Sequence, residues 1–228
     1  PAVAVTRLAP ATELDIDVLA WREATRELSG AYLDWPEIVD SAVQLVVLED
    51  DRWFVNNEGT SVMDGRRHLR FATWATAIAE DGMELSTYDY VDVASVDHLP
   101  DHEHLAAMVH GVAERTTALR NAPVVEPWTG PAILRGRAAG VFFHEIFGHR
   151  IEGHRQKDED EGQTFTNRVG ERILPPFLSV VDDPTLARFS GEDLNGHYAV
   201  DDEGVAAERV VLVEHGVLRN FLLSRTPI

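Results

Sequence analysis

The sequence predicts an α+β fold that combines antiparallel β-meanders with amphipathic helices. Three observations lead to this prediction. Apolar residues recur with helical spacing at 14–28 and 102–120, they recur with strand-like spacing from about 41 to 94, and the chain closes on a strand pair at 208–224. Runs of strands between separate helices are typical of α+β domains and not of doubly wound parallel sheets.

The block between the first two helices predicts four antiparallel strands. Its strongest signal is Asp81-Gly82, a dipeptide typical of tight hairpins because glycine accepts a positive φ. The acidic run Glu49–Asp51 predicts a further turn, and Pro100-Asp101 predicts the start of the second helix. The predicted strands are 41–48, 52–57, 68–79 and 83–95.

A Pro- and Gly-rich connector at 121–135 marks the predicted boundary between two regions, an N-terminal α/β region at 1–122 and part of a C-terminal α+β domain at 123–228. The chain starts at a proline without a methionine and stops directly after an apolar run, so we expect both regions to be incomplete. The elements predicted after the connector are a helix at 136–152, a polar loop at 155–176, a strand at 177–183, and a hairpin of 208–214 and 217–224 that turns at His215-Gly216.

The composition is that of a globular protein and disfavours two kinds of binding partner. The chain has 228 residues, 44% hydrophobic and 26% charged, which are ordinary values for a globular protein. Its 20 basic and 39 acidic residues give a net charge of −19, which argues against binding to nucleic acid or to an anionic membrane. The chain contains no cysteine. No apolar run approaches a membrane span of about 20 residues, and residues 1–10 do not have the pattern of a signal peptide. We therefore expect a cytoplasmic protein.

The most informative segment is 140–162, which concentrates imidazole and carboxylate groups and contains His144, Glu145 and His149 in the pattern HExxxH. In the familiar pattern HExxH, two histidines four residues apart share a helix face and one metal ion. Five residues instead turn a regular helix by about 500°, which leaves the two rings about 140° apart. The two rings can share an ion if the helix widens into a π-bulge or ends near Gly148. The sequence therefore predicts a metal-site helix, in the second half of the chain, that is irregular at this point.

Further groups accompany the two histidines. Glu145 lies four residues before His149 and Glu152 lies three residues after it, so all three share one helix face. Glu145 is the natural general base for a metal-activated water. Glu152 could be a metal ligand, a hydrogen-bond partner of His149 or a substrate contact. Imidazole and carboxylate suit Zn, Fe, Ni or Co, and hydrolysis without redox chemistry favours Zn²⁺.

An alternative interpretation of the segment needs no metal. The His–Glu pairs could be surface ion pairs, and Val141–Phe143 could simply be the buried part of the helix. The acidic run at 157–161 is predicted to be a solvated loop, because it lacks the ligand spacing of an EF-hand. His197, in a Gly-containing loop, is predicted to be structural, with a substrate contact as the alternative.

The run HEIFGHRIEG resembles the metal-binding signature of the TldD/PmbA metallopeptidases, also called modulators of DNA gyrase. The resemblance covers 126–228, because EPWTGPAILRGRAAGVFFHE is similar to the segment before that signature and 195–225 is similar to the segment after it. It implies a peptidase that hydrolyses small or unfolded peptides at a metal-activated water. In that role His144 and His149 are ligands of one divalent metal, Zn²⁺, and Glu145 is the catalytic base.

The resemblance also implies a third ligand and a partner. The family's third protein ligand is a cysteine in a C-terminal segment, and these 228 residues contain none. His154 could be a substitute ligand or a solvated loop residue. Family members form homodimers, or heterodimers with a paralogue that lacks the metal motif, and a chain that keeps the motif resembles the catalytic subunit. Two alternatives stay open, a catalytically silent peptide-binding or scaffold subunit and a non-proteolytic metal hydrolase.

Overall fold

The computed structural model describes residues 3–9, 16–157 and 163–225, which divide into two compact units. Both units combine helices with antiparallel strand pairs, and this confirms the predicted α+β class. The sheet unit consists of Thr6–Glu126 and Arg188–Asn195. The motif unit consists of Pro1–Val5, Pro127–Ala187 and Gly196–Ile228.

A long antiparallel meander forms the centre of the sheet unit. β2 (Ile38–Val55) pairs with β3 (Ser61–Ile78), and β3 pairs in turn with β4 (Glu84–Val93). The predicted hairpin at Asp81-Gly82 joins β3 to β4, and Gly82 has a φ of 88°. The short β1 (Thr6–Ala9) adds a parallel partner to β3, which the sequence pattern does not predict.

The prediction of a turn at Glu49–Asp51 is wrong. These residues lie inside β2, which continues through them to the next turn. Across the ladder Glu49 faces Arg67 and Asp50 faces Arg66, and the Asp50 carboxylate lies 3.8 Å from the Arg66 guanidinium. Opposite charges on facing strands favour pairing. The acidic residues therefore continue the strand, because their partners on β3 are basic.

Two helices cover one face of the meander. α1 (Val18–Gly30) begins after the Asp17 cap, later than predicted, and positions 14 and 15 lie outside the described residues. α2 (His102–Arg120) begins at the predicted position, where the Asp101 carboxylate accepts a hydrogen bond from the backbone amide of His104 at 2.9 Å. α1 packs on β2, whereas α2 packs on β3 and β4. The alternate β3 residues Phe71, Thr73 and Ala75 are fully buried, as expected for a strand with one buried face. The core consists of Leu28, Tyr32, Phe71, Ala75, Leu105, Val109, Val112 and Ala113.

A short hairpin from the second half of the chain belongs to the sheet unit. It is formed by β6 (Arg188–Phe189) and β7 (Glu192–Asp193). The Asp193 side chain is only 3% exposed and accepts hydrogen bonds from the Ala94 amide at 2.8 Å and from Nδ1 of His98 at 2.7 Å. Strands of two residues carry no periodic signal, so the sequence does not predict this hairpin.

The motif unit contains α3 (Gly136–Ile146) and a small sheet. β5 (Val180–Asp182) pairs with β8 (Val210–Glu214), which pairs with β9 (Val217–Leu218) through the predicted turn. Of the predicted acidic loop, positions 158–161 lie outside the described residues. The core of this unit consists of Phe147, Ile151, Leu212, Val213, Leu218 and Phe221.

α3 is apolar and yet exposed. Val141, Phe142 and Phe143 expose 61, 51 and 39% of their surface, so the interpretation of these residues as the buried part of the helix is wrong for the part of the chain that the structure describes. The helix meets the core of its unit at its C-terminal end, where the Phe143 ring stacks 5.0 Å from the buried Phe147 ring. Among the described residues, no helix has the length and apolar character that a bilayer crossing requires.

Candidate metal centre

The metal-site helix ends inside the HExxxH motif, which confirms one of the two predicted irregularities. α3 stops at Ile146, Phe147 leaves helical geometry with φ −125° and ψ −51°, and Gly148–Arg150 form a single 3₁₀ turn. This break replaces the rotation of a regular helix, so His149 returns to the side on which His144 lies. The two imidazole rings meet edge to face, with centroids 4.4 Å apart.

The break brings three ligand-type side chains together. His144, Glu145 and His149 each offer one ligand atom, and these atoms all lie within 4.8 Å of one another. Nε2 of His149 lies 3.8 Å from one Glu145 carboxylate oxygen, and Nε2 of His144 lies 4.0 Å from the other. The group is open to solvent, because the side chains of His144 and Glu145 are 59 and 61% exposed.

Two buried residues near the histidines in the sequence hold the group in place. Phe147 lies between the two histidines in the sequence and Ile151 follows them, and each is 2% exposed in the core of the motif unit. The amide of Phe147 still donates to the carbonyl of Phe143, and the amide of Arg150 donates to the carbonyl of Phe147 at 2.9 Å. The turn that carries His149 is therefore anchored by apolar burial although its polar side chains are exposed.

Glu152 contacts Nδ1 of His149, the ring nitrogen that does not face Glu145. One Glu152 carboxylate oxygen lies 2.7 Å from Nδ1 of His149, and the other accepts a hydrogen bond from Nε of Arg155 at 2.6 Å. Burial by itself raises the pKa of the Glu152 carboxyl, but the hydrogen bonds from Arg155 and His149 outweigh it, so the pKa is lowered on balance. Glu152 is thus a carboxylate whose two oxygens bind two different donors.

Two other predicted residues lie apart from this group. Nε2 of His154 lies 3.6 Å from Glu152, and His154 is not part of the three-residue cluster found among the described residues. His197 lies in a loop of the same unit, where its Nδ1 is 2.9 Å from the carbonyl oxygen of Pro184. Their roles as substitute ligand and substrate contact stay predictions.

The sequence motifs do not identify Arg155 or Leu222 as neighbours of Glu152. Arg155 follows Glu152 by three residues, a spacing that predicts a contact on a helical turn. Leu222 approaches Glu152 as a parallel bridge partner from the end of the chain, and no local pattern predicts a contact over that separation.

The donor set fits a divalent transition metal. The group supplies two imidazole nitrogens and a carboxylate oxygen within 4.8 Å of one another. Imidazole nitrogens with a carboxylate suit Zn²⁺ and similar ions better than Mg²⁺ or Ca²⁺, which prefer oxygen.

Comparison with known proteins agrees with this geometry. The family model for the PmbA/TldA metallopeptidase C-terminal domain matches residues 128–227, which include α3, the three-residue group and the small sheet. This region of the chain is therefore of the TldD/PmbA type.

Curated metalloproteases share both short and long stretches with this chain. A metalloprotease of Archaeoglobus fulgidus is 40% identical over 94 residues, which are 41% of this chain and 20% of that protein. A metalloprotease of Methanothermobacter thermautotrophicus is 27% identical over 190 residues, which are 82% of this chain and 39% of that protein. The chain thus spans less than half the length of these two relatives.

Two solved structures share the fold of this chain. A modulator of DNA gyrase from Bacteroides thetaiotaomicron matches with a TM-score of 0.75 at 15% identity, over 96% of this chain and 47% of that one. A second modulator, from Thermotoga maritima, matches with a TM-score of 0.72 at 18% identity, over 94% of this chain and 50% of that one. The match includes the sheet unit, which the family model does not cover.

Proposed function

We propose that this chain is part of a metal-dependent peptidase of the TldD/PmbA type, which hydrolyses small or unfolded peptides. The observation that carries the proposal is the group of His144, Glu145 and His149 at the broken end of α3. Curated relatives are named metalloproteases, which supports the same reaction class.

In this proposal His144 and His149 hold one divalent ion, Zn²⁺, through their Nε2 atoms. The ion, when bound, supplies a Lewis acid that polarises the scissile carbonyl and acidifies a water molecule. Catalytic zinc sites usually have three protein ligands. The family resemblance implies a cysteine as the third, and the 228 residues contain no cysteine.

Glu145 acts as the general base. Its carboxylate lies beside both Nε2 atoms and is well exposed, so a water molecule and a peptide can both reach it. It accepts a proton as the water oxygen forms its bond to the carbonyl carbon. The same proton then passes to the amine nitrogen as the C–N bond breaks, so the products are a carboxylic acid and an amine.

The test is hydrolysis of a model peptide by the full-length gene product with Glu145→Gln. We expect kcat to fall by about 10²-fold or more, while the metal content stays at the wild-type level. Glu171→Gln is the matched control, because Glu171 is an exposed carboxylate of the same unit that pairs with Arg168. Wild-type turnover in Glu145→Gln would contradict the role of this residue as the base.

Metal analysis separates the peptidase from the scaffold alternative. Stoichiometric zinc in the purified protein supports the enzyme, and protein without zinc supports a catalytically silent peptide-binding subunit. If the protein hydrolyses a non-peptide substrate and no peptide, this result would favour the non-proteolytic metal hydrolase.

The partner and the compartment are part of the same proposal. The family resemblance suggests a homodimer or a heterodimer with a paralogue, and the net charge of −19 disfavours nucleic acid and anionic membranes as partners. Light scattering of the purified full-length protein tests the dimer. Cell fractionation tests the cytoplasmic location.

A further inference from the structure

We propose that Glu152 is a positioning residue that selects the tautomer of His149, so that Nε2 is the ring nitrogen presented to a metal. This inference rests on the proposed function, because Nε2 has a role as a ligand only if the site binds a metal. The tautomer itself is a property of the metal-free protein.

The His149 ring directs its two nitrogens toward different partners. Nδ1 lies 2.7 Å from the Glu152 carboxylate, whereas Nε2 lies 3.8 Å from Glu145 inside the three-residue group. A carboxylate accepts hydrogen bonds and donates none, and a neutral imidazole carries one N–H. The Glu152 contact therefore places the proton on Nδ1 and leaves the lone pair of Nε2 directed into the group.

Glu152 is itself held in place by a second hydrogen-bond donor. Arg155 donates to the carboxylate oxygen that His149 does not use, at 2.6 Å, and the Glu152 side chain is 25% exposed. A carboxylate fixed at both oxygens cannot rotate away from the ring without losing a charge-assisted hydrogen bond. The partner of Nδ1 is therefore oriented before any metal arrives.

The backbone on either side of Glu152 is hydrogen-bonded to a distant segment of the chain. The Leu222 amide donates to the carbonyl of Ile151 at 2.9 Å, and the Gly153 amide donates to the carbonyl of Leu222 at 2.7 Å. These two bonds flank Glu152 and attach it to a segment far away in the sequence. The histidine ligand is thus oriented by the tertiary fold as well as by α3.

The primary test is nitrogen NMR of the histidine rings in the metal-free full-length protein, at an alkaline pH where imidazoles are neutral. In the wild type we expect His149 to carry its proton on Nδ1. In Glu152→Ala we expect a shift toward the Nε2–H tautomer. A wild-type ring protonated on Nε2, or an Nδ1–H signal unchanged by Glu152→Ala, would overturn the inference.

The second readout is the affinity for Co²⁺, measured by absorbance titration with cobalt chloride alone. We expect Glu152→Ala to weaken binding by about 10–100-fold. Glu152→Gln, with one acceptor oxygen for two donors, should give an intermediate loss and serves if the alanine variant does not fold. Glu171→Gln, which leaves the contacts of Glu152 intact, should bind as the wild type does.

The two readouts distinguish the two proposals. A wild-type chain that shows the Nδ1–H tautomer and binds no Co²⁺ contradicts the proposed metal site and leaves the positioning of His149 intact. A chain that binds Co²⁺ equally well with and without Glu152 contradicts the positioning role and leaves the metal site intact.

Discussion

The backbone amide of Gly153 donates a 2.7 Å hydrogen bond to the carbonyl of Leu222, and this contact leaves no room for a side chain at position 153. A Cβ atom there would lie 2.7 Å from the Leu222 carbonyl oxygen and 2.5 Å from Cδ2 of Leu223. Neither separation is a normal packing distance. The glycine of the run IEG is therefore required by the close approach of two chain segments beside the candidate metal site.

The first prediction is that Gly153→Ala destabilises the protein by about 1–3 kcal/mol, the usual cost of forcing extra atoms into a packed region. Since the backbone of Leu222 has to move, the adjacent Glu152 moves with it, and we expect weaker Co²⁺ binding as well. Denaturant unfolding and the cobalt titration measure the two effects.

Gly140→Ala is the control for this substitution. Gly140 lies within α3, and an added Cβ meets no atom within 4 Å. We expect a gain of about 0.5–1 kcal/mol, because alanine loses less conformational entropy in a helix than glycine does. Equal effects of the two alanines would refute the close-approach argument.

The second prediction concerns metal addition. An ion that binds only the folded state at 100 times its Kd stabilises that state by about 2.7 kcal/mol, so Zn²⁺ should raise the Tm and a chelator should reverse the rise. His144→Ala and His149→Ala should both abolish the shift. His154→Ala should preserve it, because His154 lies against Glu152 and outside the three-residue group. A loss of the shift in His154→Ala would support the substitute-ligand alternative.

The candidate site shows how far local sequence reasoning extends. The positions of His144 and His149 were enough to predict that the helix must bulge or end, because five residues do not return a ring to the same face. The choice between the two outcomes depends on Phe147, whose burial in the core of the motif unit holds the chain out of helical geometry. That burial is tertiary, and the spacing of the motif does not contain it.

The fold was predictable where the signal was local. Asp81-Gly82 specifies a hairpin by its own backbone preferences. The local pattern wrongly predicts a turn at Glu49–Asp51, because the basic residues that favour a strand there, Arg66 and Arg67, lie across the ladder on β3. The Asp193 hairpin could not be predicted for the same reason, since its contacts to Ala94 and His98 span more than 90 residues.

The third prediction is that Asp193→Ala releases the β6–β7 hairpin. The substitution leaves the Ala94 amide, the His98 ring and the Arg188 guanidinium without their shared acceptor. We expect a loss of about 1–3 kcal/mol, together with faster hydrogen exchange across 188–195. Glu192→Ala, at the exposed neighbouring position, should change neither quantity. Slow exchange retained in Asp193→Ala would show that other contacts hold the hairpin.

The fourth prediction is a loss of stability in acid that depends on Asp92. Its carboxylate accepts from Nε and Nη2 of Arg70 at 2.7 and 2.8 Å and lies 2.7 Å from Nε2 of His68. Burial alone raises the pKa of Asp92, but the hydrogen bonds from Arg70 and His68 outweigh it, and the folded pKa is lowered. The unfolded chain therefore takes up a proton first as the pH falls.

The sign of the effect follows from that order. The contribution of Asp92 to the free energy of unfolding is fully present above its unfolded pKa of about 3.9 and is lost as the pH falls through the lower folded value. Asp92→Asn should reduce stability at neutral pH and flatten the acid limb of a plot of unfolding free energy against pH. Asp97→Asn removes one exposed carboxylate from the same unit and corrects the profile for net charge. An acid limb equally steep in Asp92→Asn and Asp97→Asn would mean that other carboxylates dominate acid unfolding.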